Sequence, residues 1–191
     1  MNFCTQCGAG LTLKVPEGDN RLRHVCGSCG CIHYQNPKIV TGVIPEWEGR
    51  VLLCRRAIEP RYGYWTVPAG FMENGESAHE GAAREAMEEA NARIDIRGLY
   101  TLFNLTHINQ VYMLYRGQLI DLDFGPGEES LEVRLFSREE LPWSELAFQV
   151  VRTTLRFYFE DQARGSFTVR SGTIERSAND QQHYQMQLID S

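Results

Sequence analysis

Glu85, Glu88 and Glu89 are spaced i, i+3 and i+4, so a helical repeat places their three carboxylates side by side on one face. Like charges at that spacing destabilise a helix by roughly 0.2–0.5 kcal/mol unless a cation lies among them. A hard divalent ion such as magnesium or manganese, which takes carboxylate, water and phosphate oxygens, suits such a cluster better than zinc does. A plain solvated acidic face is the other reading of Glu-x-x-Glu-Glu taken alone. On the same helix Ala83, Ala86, Met87 and Ala90 fall at i, i+3, i+4 and i+7, which predicts a packing face opposite the carboxylates.

Four of the six cysteines form two knuckles, Cys4-x-x-Cys7 and Cys26-x-x-Cys29, separated by eighteen residues. That spacing points to a structural zinc ribbon. A disulfide framework competes and suits a secreted chain. Cys31 and His33 follow close behind the second knuckle as substitute ligands, the four regular positions being preferred. Cys54 reads as a small buried hydrophobe. A four-thiolate site has no open position, so its expected role is folding or docking. Lys14, Arg21 and Arg23 against Glu17 and Asp19 leave the first 35 residues at net +1, with no basic stripe for nucleic acid.

The elements that must position these groups are legible in outline. Ser77 with Glu80 three residues later forms a capping-box pattern, and Asn91 suits a left-handed residue past the helix end, so the helix is expected over about 78–90. Asn36-Pro37 marks a junction. Residues 38–46 and 50–56 read as a hairpin about Glu48-Gly49. Residues 65–69, 93–106, 110–119 and 132–136 read as strands, and 145–161, with Leu146, Val150, Thr153 and Phe157 at helical spacing, as a second amphipathic helix. The polar tail 171–191 has no sustained period, leaving disorder or an arm lying on a partner.

The chain has 191 residues, 42% hydrophobic and 23% charged, which allows one ordinary domain with a small appendage. The apolar run 111–115 is too short to cross a bilayer, and the first residues carry no apolar signal core, giving the expectation of a cytoplasmic protein without membrane partners. A net charge of -6 repels polyanions, so a phosphate substrate must be attracted locally. Arg55, Arg56 and Arg61, just before the glycine loop, are the candidate cations, with ordinary surface arginines as the alternative.

Gly70, five residues, Glu76, seven residues, then Arg84-Glu85-Ala86-Met87-Glu88-Glu89 resembles the signature of the Nudix hydrolases. The pattern departs at Asn91, Ala86 and Ala92, none of them a metal ligand. The resemblance implies an α/β fold, an α/β/α sandwich with a mixed sheet. It divides the chain into a zinc ribbon (1–35), a hydrolase domain (36–164) and a C-terminal strand or tail (165–191). It further implies that Arg84 and Glu76 hold the catalytic loop, and that Glu85, Glu88 and Glu89 bind catalytic magnesium or manganese with the Gly70 carbonyl. Glu85 and Glu89 are the principal ligands and Glu88 a shared ligand or base. Glu128, Glu129 and Glu132 are a second source of the base. Family members are often dimers, so the resemblance leaves a homodimer open without fixing the oligomeric state.

The ribbon also resembles that of the NADH pyrophosphatases, but their Ser-Gln-Pro-Trp-Pro-Phe-Pro tract is missing here. The stretches 55–60, 64–71, 128–132 and 146–148 are instead similar to the ribbon-bearing branch related to FAD and ADP-ribose diphosphatases. That implies a small-molecule nucleotide substrate whose diphosphate is cut to release AMP, with Arg55, Arg56, Arg61, Tyr64, Phe71 and Glu129 contacting it. Tyr62, Tyr64, Phe71, Tyr112 and Tyr115 are candidate stacking faces. An NADH pyrophosphatase, a house-cleaning hydrolase of nucleoside triphosphates, and a ribbon binding module with an inactive hydrolase domain remain as alternatives.

Overall fold

The structure, a computed structural model, describes residues 1–176 and 184–189. The chain divides into two compact units, Met1–Pro37 and Lys38–Ser191. In the first, β1 (Leu11–Lys14), β2 (Arg23–Cys26) and β3 (Ile32–His33) form an antiparallel sheet in the order β1-β2-β3. The Cys4 knuckle closes with the Gly8 N–H donating to the Cys4 carbonyl at 2.9 Å, and the Cys26 knuckle with the Gly30 N–H donating to the Cys26 carbonyl at 3.0 Å.

The second unit contains β4 (Lys38–Trp47), β5 (Arg50–Arg56), β6 (Trp65–Thr66), β7 (Ala69–Phe71), α1 (Ala78–Ala90), β8 (Ile94–Leu105) and β9 (Gln110–Leu119). These are followed by β10 (Ser130–Phe136), α2 (Gln149–Arg164), β11 (Arg170–Arg176) and β12 (Tyr184–Ile189). Its nine-stranded mixed sheet runs β10-β5-β4-β9-β8-β11-β12, with β6 on β5 and β7 on β4. The pairs β4/β9 and β8/β11 are parallel.

Alternation along the central strands explains the sandwich. Ile44, Val51 and Leu53 face one side and pack with Val150, Val151, Leu155, Tyr158 and Phe159 of α2. Their neighbours Val43, Leu52 and Cys54 face the other, where Ala82, Ala86 and Ala90 of α1 lie. A strand buried on both faces reads as a continuous apolar run, as 51–54 does. The β4–β5 turn uses Glu48 and Gly49, both with positive φ (46° and 81°), the geometry whose twist matches a two-residue hairpin.

Several elements differ from the sequence expectation. The 65–69 strand is two strands, because Pro68, which has no N–H to donate, lies where the chain changes partner from β5 to β4. The second helix starts at Gln149, not at 145: Leu146 bridges Trp65 and the Ala147 N–H donates to the Trp65 carbonyl at 2.8 Å, holding this stretch extended. In the polar tail, residues 170–176 and 184–189 extend the sheet as β11 and β12. Ile174 is buried in the main core and Gly172 sits beside β8, where Asn104 Nδ2 donates to its carbonyl at 3.2 Å. The rest of the tail lies outside the described residues.

β11 is secured from α2 by Asp161, which is 1% exposed. It accepts from both terminal nitrogens of Arg170 at 2.6 and 2.7 Å, from Tyr100 Oη at 2.8 Å and from the Thr168 N–H at 3.2 Å. Burial by itself raises this carboxyl; the bonds to Arg170 and Tyr100 outweigh it and hold it at about 2.

Candidate active site

The loop between β7 and α1 is tied to the helix by one arginine. Arg84 donates from Nε to Glu76 Oε2 and from a terminal nitrogen to Oε1, both at 2.9 Å, and reaches the Phe71 carbonyl at 3.2 Å. Its other terminal nitrogen meets Glu85 Oε1 at 2.9 Å and Glu88 Oε2 at 2.8 Å. A bidentate guanidinium–carboxylate pair is strong and directional. It holds the Glu76 carboxyl down at about 2, with help from the Glu73 N–H. The helix begins with the Ser77 N–H donating to Glu80 at 2.8 Å and ends at Asn91 in the left-handed region.

The face of α1 that packs is not the one the sequence suggests. Met87 is 43% exposed, while the buried stripe is Gly81, Ala82, Glu85, Ala86, Glu89 and Ala90. Ala82 and Ala86 pack on Val43, and Gly70, having no side chain, leaves the space that the Glu85 carboxylate occupies: a Cβ there would collide with it. The three glutamates therefore do not share one solvated face. Glu85 and Glu89 are 7% and 8% exposed, whereas the Glu88 side chain is 57% exposed.

Two buried carboxylates four residues apart are costly. Burial raises Glu85, with Arg84 opposing; burial and then the neighbouring Glu85 push Glu89 up to about 8. Among the described residues Glu89 Oε2 has no hydrogen-bond partner. An unpaired buried carboxylate costs several kcal/mol. An all-oxygen donor set with one orphaned oxygen fits a hard divalent cation and not a soft one. Glu88 is held by Arg84, and among the described residues only cysteine groups bring three ligand atoms within 4.8 Å of one another. A cation at the glutamates would have to draw Glu88 from the arginine.

The acidic loop before β10 docks on the carboxyl end of α1. The N–H groups of Gly125 and Gly127 donate to the carbonyls of Ala90 and Glu89 at 2.9 and 3.0 Å, and Asn91 Nδ2 donates to the carbonyls of Gly125 and Pro126, both at 3.2 Å. The first two satisfy carbonyls that a helix end leaves open, and the Asn91 bonds tie the loop back to it. Contact is so close at Gly127 that an added Cβ would collide with the Glu88 carbonyl. The loop brings Glu128 and Glu129 to the cavity, and the charge of Glu129 contributes to raising both Glu85 and Glu89.

A cavity of about 1180 Å³ opens over these groups. Gly70, Phe71, Arg84, Glu85, Glu88 and Glu89 line it at one place; Arg56, Arg61, Tyr64 and Phe148 line it beside them; Val40, Leu105 and Tyr112 also contribute. Arg55 is not among the lining residues: on β5 it alternates with Arg56, and its Nε donates to the Gly63 carbonyl at 3.0 Å, with Glu132 at 3.8 Å. Tyr62 and Tyr115 do not line the cavity either, the latter packing beside Val43 and α1. Glu76 acts behind it through Arg84.

Sequence reasoning missed His107, Arg152, Arg176 and Tyr184, which also line the cavity. No local motif marks them. They converge because β8, β11, β12 and α2 are brought together by long-range pairing.

In the first unit the sulfurs of Cys4 and Cys29 are 3.7 Å apart and those of Cys7 and Cys26 3.5 Å, and all six cysteines are free of disulfides. A tetrahedral four-thiolate site with bonds of about 2.3 Å requires sulfur separations of about 3.8 Å, so the cluster fits a zinc ribbon. The N–H groups of Gln6 and Cys29 point at Cys4 and Cys26 Sγ at 3.4 and 3.5 Å. His33 Nε2 lies 3.3 Å from Cys4 Sγ, and Cys4, Cys31 and His33 form an overlapping second group.

A family model described as the NUDIX domain matches residues 36–157, and one described as Nudix N-terminal matches residues 2–35. A crystal structure of a NUDIX hydrolase from Nitrosomonas europaea is 55% identical, with a TM-score of 0.90, over 92% of this chain and 99% of that one. An NAD-capped RNA hydrolase NudC of Vibrio parahaemolyticus is 34% identical over 96 residues, which is 49% of this chain and 34% of that protein. An ADP-ribose pyrophosphatase of Methanocaldococcus jannaschii is 26% identical over 121 residues, 60% of this chain and 69% of that protein. The chain thus spans 34% of the length of the first NudC relative it matches.

Proposed function

The chain belongs to the Nudix family, and from that premise we propose that it hydrolyses the diphosphate link of a nucleoside diphosphate derivative, ADP-ribose or FAD, releasing AMP. The observation that carries this reading is the pair of buried glutamates, one with an orphaned oxygen, beside a cavity large enough for a nucleotide. Cavities of roughly 300–1,000 Å³ usually suffice for such ligands.

In this reading Glu85 and Glu89 are the principal ligands of magnesium or manganese, Glu88 is shared between the metal and Arg84, and Gly70 leaves room for the Glu85 carboxylate. A divalent ion held there would neutralise diphosphate oxygens and make the attacking water more acidic. Arg84, through its fork to Glu76 and its bond to the Phe71 carbonyl, keeps the loop in register with the helix. Arg56 and Arg61 offer positive charge to the phosphates from the other wall. Glu129, on the acidic loop lining the cavity, takes the proton of the attacking water in this reading. Water attacks one phosphorus, the P–O–P bond breaks, and two phosphate monoesters leave: AMP with ribose 5-phosphate from ADP-ribose, or AMP with FMN from FAD. The four cysteines hold a structural zinc ion.

The test is a panel of ADP-ribose, FAD, NADH and nucleoside triphosphates in heavy-oxygen water with magnesium. The expected outcome is AMP among the products, with one labelled phosphate oxygen. Absence of magnesium-dependent turnover on every member would overturn the proposal.

A further inference from the structure

The match to the family domain ends at residue 157, but the cavity wall does not. Arg176 and Tyr184 sit opposite each other in the β11–β12 pairing, and the Arg176 guanidinium lies 6.0 Å from the Tyr184 ring. His107 joins them, its ring 6.1 Å from that of Tyr184. The Thr106 Oγ1 to Glu175 bond at 3.3 Å fixes the end of β11 beside this turn.

Strand order places this cluster far from the carboxylates. β7, which carries Gly70, pairs with β4, β4 with β9, β9 with β8 and β8 with β11. Four pairings thus lie between β7 and β11 along the sheet, while the side chains of both ends line one cavity. On the opposite side of β7 lies a second group of rings and cations: Arg61 is 5.6 Å from the Tyr64 ring and Arg56 5.2 Å from the Phe148 ring. The carboxylates therefore stand between two ends of similar chemistry, each with an aromatic face and a guanidinium. Heterocycles stack on such faces. Independently, the buried Nε of Arg152, which lines the same cavity, has no hydrogen-bond partner among the described residues, so it awaits an acceptor.

We infer that His107, Arg176 and Tyr184 receive the second heterocycle of a dinucleotide, and that this chain prefers diphosphates joining two ring-bearing halves over those with a single nucleoside. The inference rests on the hydrolase reading above and narrows its substrate class. A substrate with one nucleoside, such as ADP-ribose, fills one end only; FAD, NADH or diadenosine diphosphate fills both.

The experiment compares KM and kcat for diadenosine diphosphate and ADP-ribose in the full chain with magnesium. Wild type is expected to show a KM at least tenfold lower for the dinucleotide. In Tyr184→Ala that ratio should fall to near one, the change lying in KM and not in kcat, while Tyr184→Phe, which keeps the ring, should preserve it. Arg176→Gln provides the same readout should Tyr184→Ala melt early. Equal KM values in wild type, or a ratio untouched by both variants, would overturn the inference, as would equal losses on both substrates. Failure of the hydrolase reading looks different, since wild type would then turn over neither compound. In that event calorimetric titration of diadenosine diphosphate still decides whether the Tyr184 cluster binds it, a tenfold weaker Kd in Tyr184→Ala being expected.

Discussion

Glu89→Gln separates the cost of an unpaired buried carboxylate from its use. Glu89 is 8% exposed, lies beside Glu85 and, among the described residues, leaves Oε2 without a partner. Near neutral pH a carboxyl pushed up to about 8 must take up a proton on folding, a cost that glutamine, of nearly the same volume and leaving no cavity, does not bear. A buried unsatisfied polar group costs about 1–3 kcal/mol, more when charged. We therefore expect the variant to be more stable than wild type by about 1–3 kcal/mol in chelator, seen as a higher urea midpoint. Magnesium should reverse the order. Wild type gains stability as RT ln(1 + [L]/Kd), about 2.7 kcal/mol when the metal is at about 100 times its Kd, while the variant gains little and loses most hydrolysis. The assay is a pair of urea melts, with chelator and with magnesium, read beside turnover. Lower stability of the variant in chelator, or normal turnover with an undiminished response to magnesium, would refute the reasoning.

Cys26→Ser should lower zinc content and melting temperature, with any fall in activity indirect; zinc content holding at one per chain by metal analysis would show the ligand set to be wrong. Asp161→Asn should cost about 3 kcal/mol, the lower end for breaking a buried ion pair, measured by urea denaturation. Because its folded carboxyl is held at about 2, below the ordinary 3.8, Asp161 contributes stability that is present above pH about 3.8 and lost as pH falls through about 2. The acid limb of a stability profile should therefore be shallower in the variant. Gly127→Ala, whose Cβ would meet the Glu88 carbonyl, should cost about 1–3 kcal/mol by overpacking and depress kcat by shifting the acidic loop. Unaltered kcat and stability would show that the loop has slack.

The local signals carried well. Ser77 with Glu80 and the left-handed Asn91 bound a helix that runs Ala78–Ala90, and the Glu48-Gly49 turn has the positive φ pair a tight hairpin needs. What escaped was anything decided by packing between distant segments. Carboxylates normally face water, so a reading of α1 by residue type turns Glu85 and Glu89 outward; the empty space at Gly70 reverses this. Arg55 and Arg56 are adjacent on a strand and must point to opposite faces, a period-two signal that already excluded one of them from the cavity. Tyr184 and Arg176 lie in a polar segment whose strands exist because Ile174 finds the core and Asp161 grips Arg170. No stretch of local sequence announces that.

The contacts of Arg84 with Glu76, Glu85 and Glu88 have a consequence for the life of the protein before it meets its ion. The guanidinium is a resident counter-charge that offsets the mutual repulsion of these carboxylates within the fold. In the proposed reading a divalent ion at the glutamates would have to exchange with the guanidinium at Glu88, which would cap how tightly it is gripped.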